Sequence, residues 1–167
     1  LAGHVSAVSA ALDEGLEEGR EAVGHIVGRD TAGMSESDVS RAAIESAAEN
    51  LSDAVIAPLM WFLIFGMPGL LLYKMVNTAD SMIGHKDDKS IQVGYAAAKL
   101  DDLLNWIPAR VTGFLICLAH FSQNATNIMV YQADLHRSPN AGWPEAAMAG
   151  VLDISLSGPR TYDGEVS

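Results

Sequence analysis

Residues 54–73, AVIAPLMWFLIFGMPGLLLY, run for twenty positions without one charged side chain, about the length a helix needs to cross a hydrocarbon core. Within that run stand Pro58, Gly66, Pro68 and Gly69. Proline removes an intrahelical donor and glycine weakens a helix interior, so these residues do not encode a straight rod. The pattern predicts a kinked, broken or re-entrant membrane segment, tolerated in lipid where neighbouring protein satisfies the backbone. A buried helix pair in a soluble core is the other reading of the same run.

The rest of the chain alternates in the same way. Apolar residues make up 49% and charged ones 19% of the 167, and the charges are bunched, with six between positions 13 and 21. That unevenness points to membrane or deep-core segments separated by solvated ones. A second stretch without Lys, Arg, Asp or Glu covers 111–131, apolar to Phe121 and polar in SQNATN at 122–127, which makes it a weaker membrane segment. The net charge of −11 with no Lys/Arg cluster argues against nucleic acid as a partner. It suits metal-bridged phosphate substrates, or solubility alone. Cys117 is the single cysteine, so a disulfide framework and a cysteine zinc site are excluded within the chain. The five histidines show no metal-ligand spacing, the first twenty residues do not form a signal peptide, and no phosphate-binding glycine loop or nucleophile elbow occurs.

Periodicity gives an all-α fold: a polytopic membrane helical protein with amphipathic and re-entrant or kinked helices and a short irregular C-terminal segment. We read 1–167 as a single domain of a larger membrane protein. Residues 1–52 form a helical hairpin interrupted at Gly15 and Gly19, then an acidic helix opened by a capping box at SESD, 35–38. Membrane segments follow at 54–73 and 111–131. Between them, 74–110 holds a helix, a charged loop at 84–94, and a helix ending before Pro108, which opens another. A loop, a short helix opened by Pro144 and a tail occupy 132–167.

Polar side chains cluster at four places. Asp38, Glu45, Glu49 and Asp53, at offsets of seven, four and four, share one helix face. Like charges at that spacing cost about 0.2–0.5 kcal/mol per pair, so a cation should compensate, and Arg41 does so only in part. The face is a divalent-cation or cationic-substrate site, or a solvated acidic surface; Asn50 and Asp53 stand where it meets the uncharged run, where carboxylates need partners. KMVNTADSM, 74–82, offers Lys74 for phosphate and Asp80 for Mg2+, or snorkelling and capping. LDDLLNWIPAR, 100–110, sets Asp101 and Asp102 ahead of Asn105 and Arg110, as a phosphate-positioning group or a charged helix end. SPNAGWPEAAMAG, 138–150, joins Asn140, Trp143 and Glu145 in a grip for a large flat ligand or a packed turn.

VGRDT (27–31), RAAIESAAENLSDAVIAPL (41–59), GMPG with YKMVNTADSMIGH (66–85), AAAKLDDLLNWIPAR (96–110) and SPNAGWPEAAMAG, taken in order, resemble the adenosylcobinamide-phosphate synthase family of cobalamin biosynthesis, called CobD or CbiB. The resemblance implies an integral, multi-pass protein of the cell (inner) membrane. It implies a ligase that joins aminopropanol or its phosphate, as an amide, to the free propionate of adenosylcobyric acid. ATP and Mg2+ are the implied cofactors, the corrinoid the substrate, and lipid and other corrinoid-pathway enzymes the partners. Family members carry further membrane helices before this region and continue past 158–164, so both ends are expected to be missing.

On that reading Glu45, Glu49, Asp53, Lys74 and Asp80 are the catalytic candidates, with Glu49, Asp53 and Asp80 as metal ligands. Arg29, Lys74 and Arg110 would meet phosphate, and Asn77, Asn140 and Trp143 the corrin or its amides. Asp30, Thr31, Asn50, Asp101, Asp102 and Glu145 complete the substrate-binding set. Lys and Arg number three before the first uncharged run, five in 74–110 and two after, which puts the middle region in the cytoplasm. Two full crossings would separate the acidic helix from 74–110, so we expect the first run to dip and return, or to break at 66–69. The rival reading is a non-catalytic membrane sensor or scaffold.

Overall fold

The computed structural model describes residues 2–83, 91–156, 161–162 and 165–166; most of the charged loop expected at 84–94 lies outside them. Helices α1 (Ala2–Glu14) and α2 (Leu16–Gly24) hinge at Gly15 and fold back on one another. A Cβ at Gly19 would meet the Leu12 side chain, so glycine lets the two helices close. Val8 and Val23 then bury against Val39, Ala42 and Ala43 of α3 (Glu36–Asn50), forming the first core. The expected capping box opens α3: the Ser35 hydroxyl accepts from the Asp38 N–H, and the Asp38 carboxylate accepts from the Ser35 N–H at 3.1 Å. Those bonds from Ser35 hold the Asp38 carboxyl below the usual range.

Helix α3 passes through a π-helical turn, Leu51–Ile56, into α4 (Ala57–Ile83). Helix α4 is not a rod, because Gly66 adopts φ 66° and ψ −152°, a conformation open to glycine and costly for other residues. A Cβ on Gly69 would strike the carbonyl of Trp61, a residue eight positions back that a straight helix would hold about 12 Å away. The Tyr73 hydroxyl, likewise, lies 2.9 Å from the carbonyl oxygen of Asp53, twenty residues earlier. Limbs 57–65 and 67–83 therefore lie side by side with the tip at Gly66. The expectation of a run that turns back at 66–69 is met, and its physical cause is the Gly66 backbone. Each limb reaches about 10–18 Å from the Asp53–Tyr73 level to the tip, and Leu63, Phe65 and Met67 at the tip are 73%, 60% and 56% exposed.

Helix α5 (Ile91–Ala119) corrects the expected break at Pro108, since it runs through that residue. Pro108 lacks the N–H that would bond to the Leu104 carbonyl and crowds it. The indole N–H of Trp61 donates to that same carbonyl at 3.1 Å, so the folded-back hairpin fills the hydrogen bond that proline leaves open. Trp61→Phe should therefore cost about 1–3 kcal/mol, the range for an orphaned buried acceptor. In a Pro108→Ala background, where residue 108 regains its N–H, most of that cost should vanish. Thermal unfolding of the four proteins of this cycle checks it, and additive losses would sink the assignment.

The uncharged stretch 111–131 is likewise not one segment. Helix α5 stops at Ala119, Phe121 takes a left-handed φ of 50°, and Ser122 caps α6 (Gln123–Gln132) by accepting from the Ala125 N–H. Hydropathy alone does not register such a turn. A 3-10 turn (Ala133–Leu135) leads to α7 (Gly142–Leu152), and Ile116, Cys117, Ala125, Met129 and Ala147 close a second core. The tail departs from irregular structure in a two-residue antiparallel pair, Thr161–Tyr162 with Glu165–Val166. Among the described residues two helical stretches, Glu36–Met82 and Gly94–Ala119, are long and apolar enough to cross a membrane; the first is folded at Gly66.

Candidate functional site: carboxylates and amides at the base of the hairpin

Folding the uncharged run back brings the end of α3, the second limb of α4 and the first half of α5 together. Tyr73 is 1% exposed, and its phenol lies 2.9 Å from both the Asp53 carbonyl and Asn105 Oδ1. One phenol proton cannot serve both acceptors at once, so the group is poised between two hydrogen-bonding states. Asn105, also 1% exposed, donates to Asp101 Oδ2 at 2.9 Å, and Asn77 donates to Asp101 Oδ1 at 3.2 Å. Lys74 reaches Asn77 Oδ1 at 3.4 Å from an exposed position. The charges of Asp101, Glu49 and Lys74 lie within electrostatic reach of Asp53, and those of Asp80 and Asp102 within reach of Asp101. Five carboxylates thus share one neighbourhood with two described ammonium groups, Lys74 and Lys99, the latter 3.6 Å from Asp102, a net negative field that draws cations and cation-bridged phosphates.

Of the residues singled out from the sequence, the structure gathers Glu49, Asp53, Lys74, Asn77, Asp80, Asp101 and Asp102. Asn140 joins them from α7's approach loop: its Nδ2 donates to the Asp102 carbonyl at 2.9 Å while its buried Oδ1 has no hydrogen-bond partner. Others go elsewhere. Arg29 donates to Glu45 at 2.7 Å, with side chains 11% and 8% exposed, so these two neutralise each other beneath the loop that joins α2 and α3. Asp30 accepts from the Ala32 N–H in an exposed turn, Thr31 sits close to Gly24, and Asn50 donates to the Ser46 carbonyl. Arg110 lies nine residues past Asp101, on the opposite face of α5 and about 13 Å along it. Its guanidinium stacks between Trp106 at 4.2 Å and Trp143 at 4.7 Å. Glu145 lies beside His136, 3.5 Å away.

Among the described residues no three His, Cys, Asp or Glu side chains sit close enough to chelate a metal, so Glu49, Asp53 and Asp80 do not form a prebuilt three-ligand cage. The donors nonetheless fit Mg2+, which keeps several waters and takes one or two carboxylates plus substrate phosphates. Two residues here escaped the sequence reading, and a third was noted without its role. Tyr73 stands in the sequence as the last residue of the uncharged run, and its phenol was the only hint. Asn105 belonged to a noted cluster, but its burial is a tertiary fact. His136 carried no spacing signal at all.

Fold and site together define a helical protein in which an apolar helix folded back at Gly66 assembles a carboxylate–amide cluster at its base. The chain belongs to the CobD/CbiB family, whose model, described as CobD/Cbib protein, matches residues 1–167. Similar curated proteins, each described as "Cobalamin biosynthesis protein CobD", come from Brucella suis, 56% identical over 173 residues, and Rhodobacter capsulatus, 51% identical over 166. A third, from Rhizobium meliloti, is 56% identical over 172 residues. These alignments cover 98–99% of this chain and 53% of each relative, so the chain spans about half their length. Those descriptions do not favour the sensor or scaffold reading. No solved structure matches.

Proposed function

We propose that this chain carries the acidic half of a membrane-integral ligase of the cell (inner) membrane. The ligase joins aminopropanol or its phosphate, as an amide, to the free carboxylate of adenosylcobyric acid. The observation that carries this reading is the convergence of Asp53, Tyr73, Asn105, Asp101 and Asn77 at the foot of the hairpin. A carboxylate is inert toward amines at neutral pH, and the ATP implied by the resemblance would, when bound, make it reactive. Asp53 and Asp101 would hold Mg2+, the exposed Lys74 ammonium would meet phosphate, and the Asn77 and Asn140 amides would orient the amide-rich rim of the corrinoid. The carboxylates left without metal keep the amine's proton within reach of a base.

A returning hairpin keeps Glu49 and Asp80 on the same membrane side as 74–110, the side that the Lys/Arg bias makes cytoplasmic. Cysteines placed at these two positions should both react with an impermeant thiol reagent from the cytoplasmic side of oriented vesicles. Labelling from opposite sides would remove the shared site. Function itself is tested by rescue of a bacterial strain lacking its cobinamide-forming step. The full-length gene should restore growth, and Glu49→Gln and Asp80→Asn, inserted at equal levels, should not. Failure of a well-expressed wild type would end the ligase reading; rescue by both variants would keep it and move the site.

A further inference from the structure

An apolar groove, of about 460 Å³, lies where α5, α6 and the start of α7 meet. Phe114 and Leu115 of α5, Met129 and Val130 of α6 and Trp143 of α7 line it, and Arg110 is the one charged side chain among the described residues that does so. We propose that it binds one anionic phospholipid, with the headgroup phosphate on the Arg110 guanidinium and an acyl chain in the groove.

Arg110 stands apart from the acidic cluster, and its surroundings show what it lacks. The guanidinium donates to the Trp106 carbonyl at 2.6 Å, one turn back along α5, so the side chain leans toward the helix end that carries Asn105 and Asp101. A long cationic side chain that leans out of an apolar stretch toward its polar end is snorkelling. Indoles cover both flat faces of the guanidinium, Trp106 at 4.2 Å and Trp143 at 4.7 Å. Its remaining N–H donors therefore lie on the edge, in the plane that suits a phosphate. Asp134 is within electrostatic reach, yet Arg110 forms no ion pair among the described residues. The Trp143 indole N–H is buried without a hydrogen-bond partner. The head of the groove thus has donors to spare and lacks acceptors.

Below that head the walls are apolar. A Cβ on Gly113 would strike Met129 Sδ and the Trp143 carbonyl, so glycine lets α5 close on α6 and α7, and Phe114, Met129 and Trp143 at that contact also line the groove. From Val111 to Ala119, α5 runs about 13 Å, close to half of a hydrocarbon core of about 30 Å. The chain then turns at Phe121, which is 90% exposed. An acyl chain that starts beside Arg110 meets apolar wall for the depth of one leaflet. A soluble phosphate would engage the guanidinium and leave those walls in water, and a packed helix would cover the walls and leave the guanidinium without an anion. A phospholipid satisfies both.

The site depends on the membrane reading and not on the ligation reading. Full-length protein, extracted in detergent, is given dioleoylphosphatidylglycerol or dioleoylphosphatidylcholine at matched concentrations, and retained lipid is counted by native mass spectrometry. One saturably bound phosphatidylglycerol is expected, preferred about fivefold over phosphatidylcholine, the factor that one basic residue contributes toward anionic lipid. Arg110→Met should erase that preference. Val130→Trp, which fills the groove and keeps the guanidinium, should abolish retention of both lipids, and it carries the test if Arg110→Met fails to fold. Equal retention of the two lipids by the wild type, an unchanged preference in Arg110→Met, or full retention by Val130→Trp overturns the proposal. So does displacement of the lipid by glycerophosphate, which would make the ligand a soluble phosphate. A protein that needs detergent for extraction yet retains no phospholipid removes the site and leaves the membrane reading standing.

Discussion

Asp53→Asn in the full-length protein is expected to lower the proposed ligation turnover by about a hundredfold or more, the scale seen when one electrostatic element of a catalytic site is removed, while leaving the melting temperature unchanged or higher. The sign of the stability effect follows from the neighbours. Asp53 stands within reach of two like charges, Asp101 and Glu49, and of one ammonium, Lys74. Replacing its carboxylate by an isosteric amide relieves more repulsion than attraction. The backbone carbonyl of Asp53, which meets the Tyr73 phenol, is untouched. A purely structural acid would behave oppositely, losing stability and activity together. Reconstituted turnover measured beside thermal unfolding separates the two cases, and a variant of full activity would remove Asp53 from the site. Mutual repulsion retained by a half-buried carboxylate in a π-helical turn is the usual mark of a site kept for function at the expense of stability.

What the sequence disclosed and what it hid divide along the range of the interaction. The break at Gly66 was legible because it is local: glycine two residues before proline inside an apolar run offers the backbone a place to turn. The Ser35–Asp38 cap was legible for the same reason. Pro108 misled because the same local rule was overridden from 43 residues away, by the Trp61 indole reaching the Leu104 carbonyl. The stretch 111–131 misled because mean hydropathy carries no backbone angle, and a left-handed Phe121 is a conformation that bulky side chains rarely adopt.

The acidic face of α3 shows the same division within a single element. Its periodicity placed Asp38, Glu45, Glu49 and Asp53 on one side, yet four residues of one type have three different fates. Asp38 closes the capping box, Glu45 takes Arg29, and Glu49 and Asp53 go to the cluster. The π-helical turn at Leu51–Ile56 widens the helix where Asp53 sits, an insertion that often marks a functional position. Periodicity gives a face; partners, supplied by distant segments, decide what each side chain on that face does.

The second large effect belongs to Glu45 and Arg29, and it concerns stability. Arg29→Met should destabilise the protein by about 3 kcal/mol, the lower end for breaking a buried ion pair, because the pair keeps a little solvent access. The cost arises on the residue that remains: Glu45, 6% exposed on the core side of α3, keeps its charge and loses the guanidinium 2.7 Å away. Glu45→Leu alone should cost a comparable amount by stranding Arg29. The double variant Arg29→Met/Glu45→Leu should recover most of the loss, since two apolar side chains of similar volume need no mutual charge. A pair that instead served catalysis would show a stable double variant with no activity. Thermal unfolding and rescue of the cobinamide step, measured on all four proteins, tell these apart, and equal, additive losses in the single variants would show that the two residues do not act as a pair.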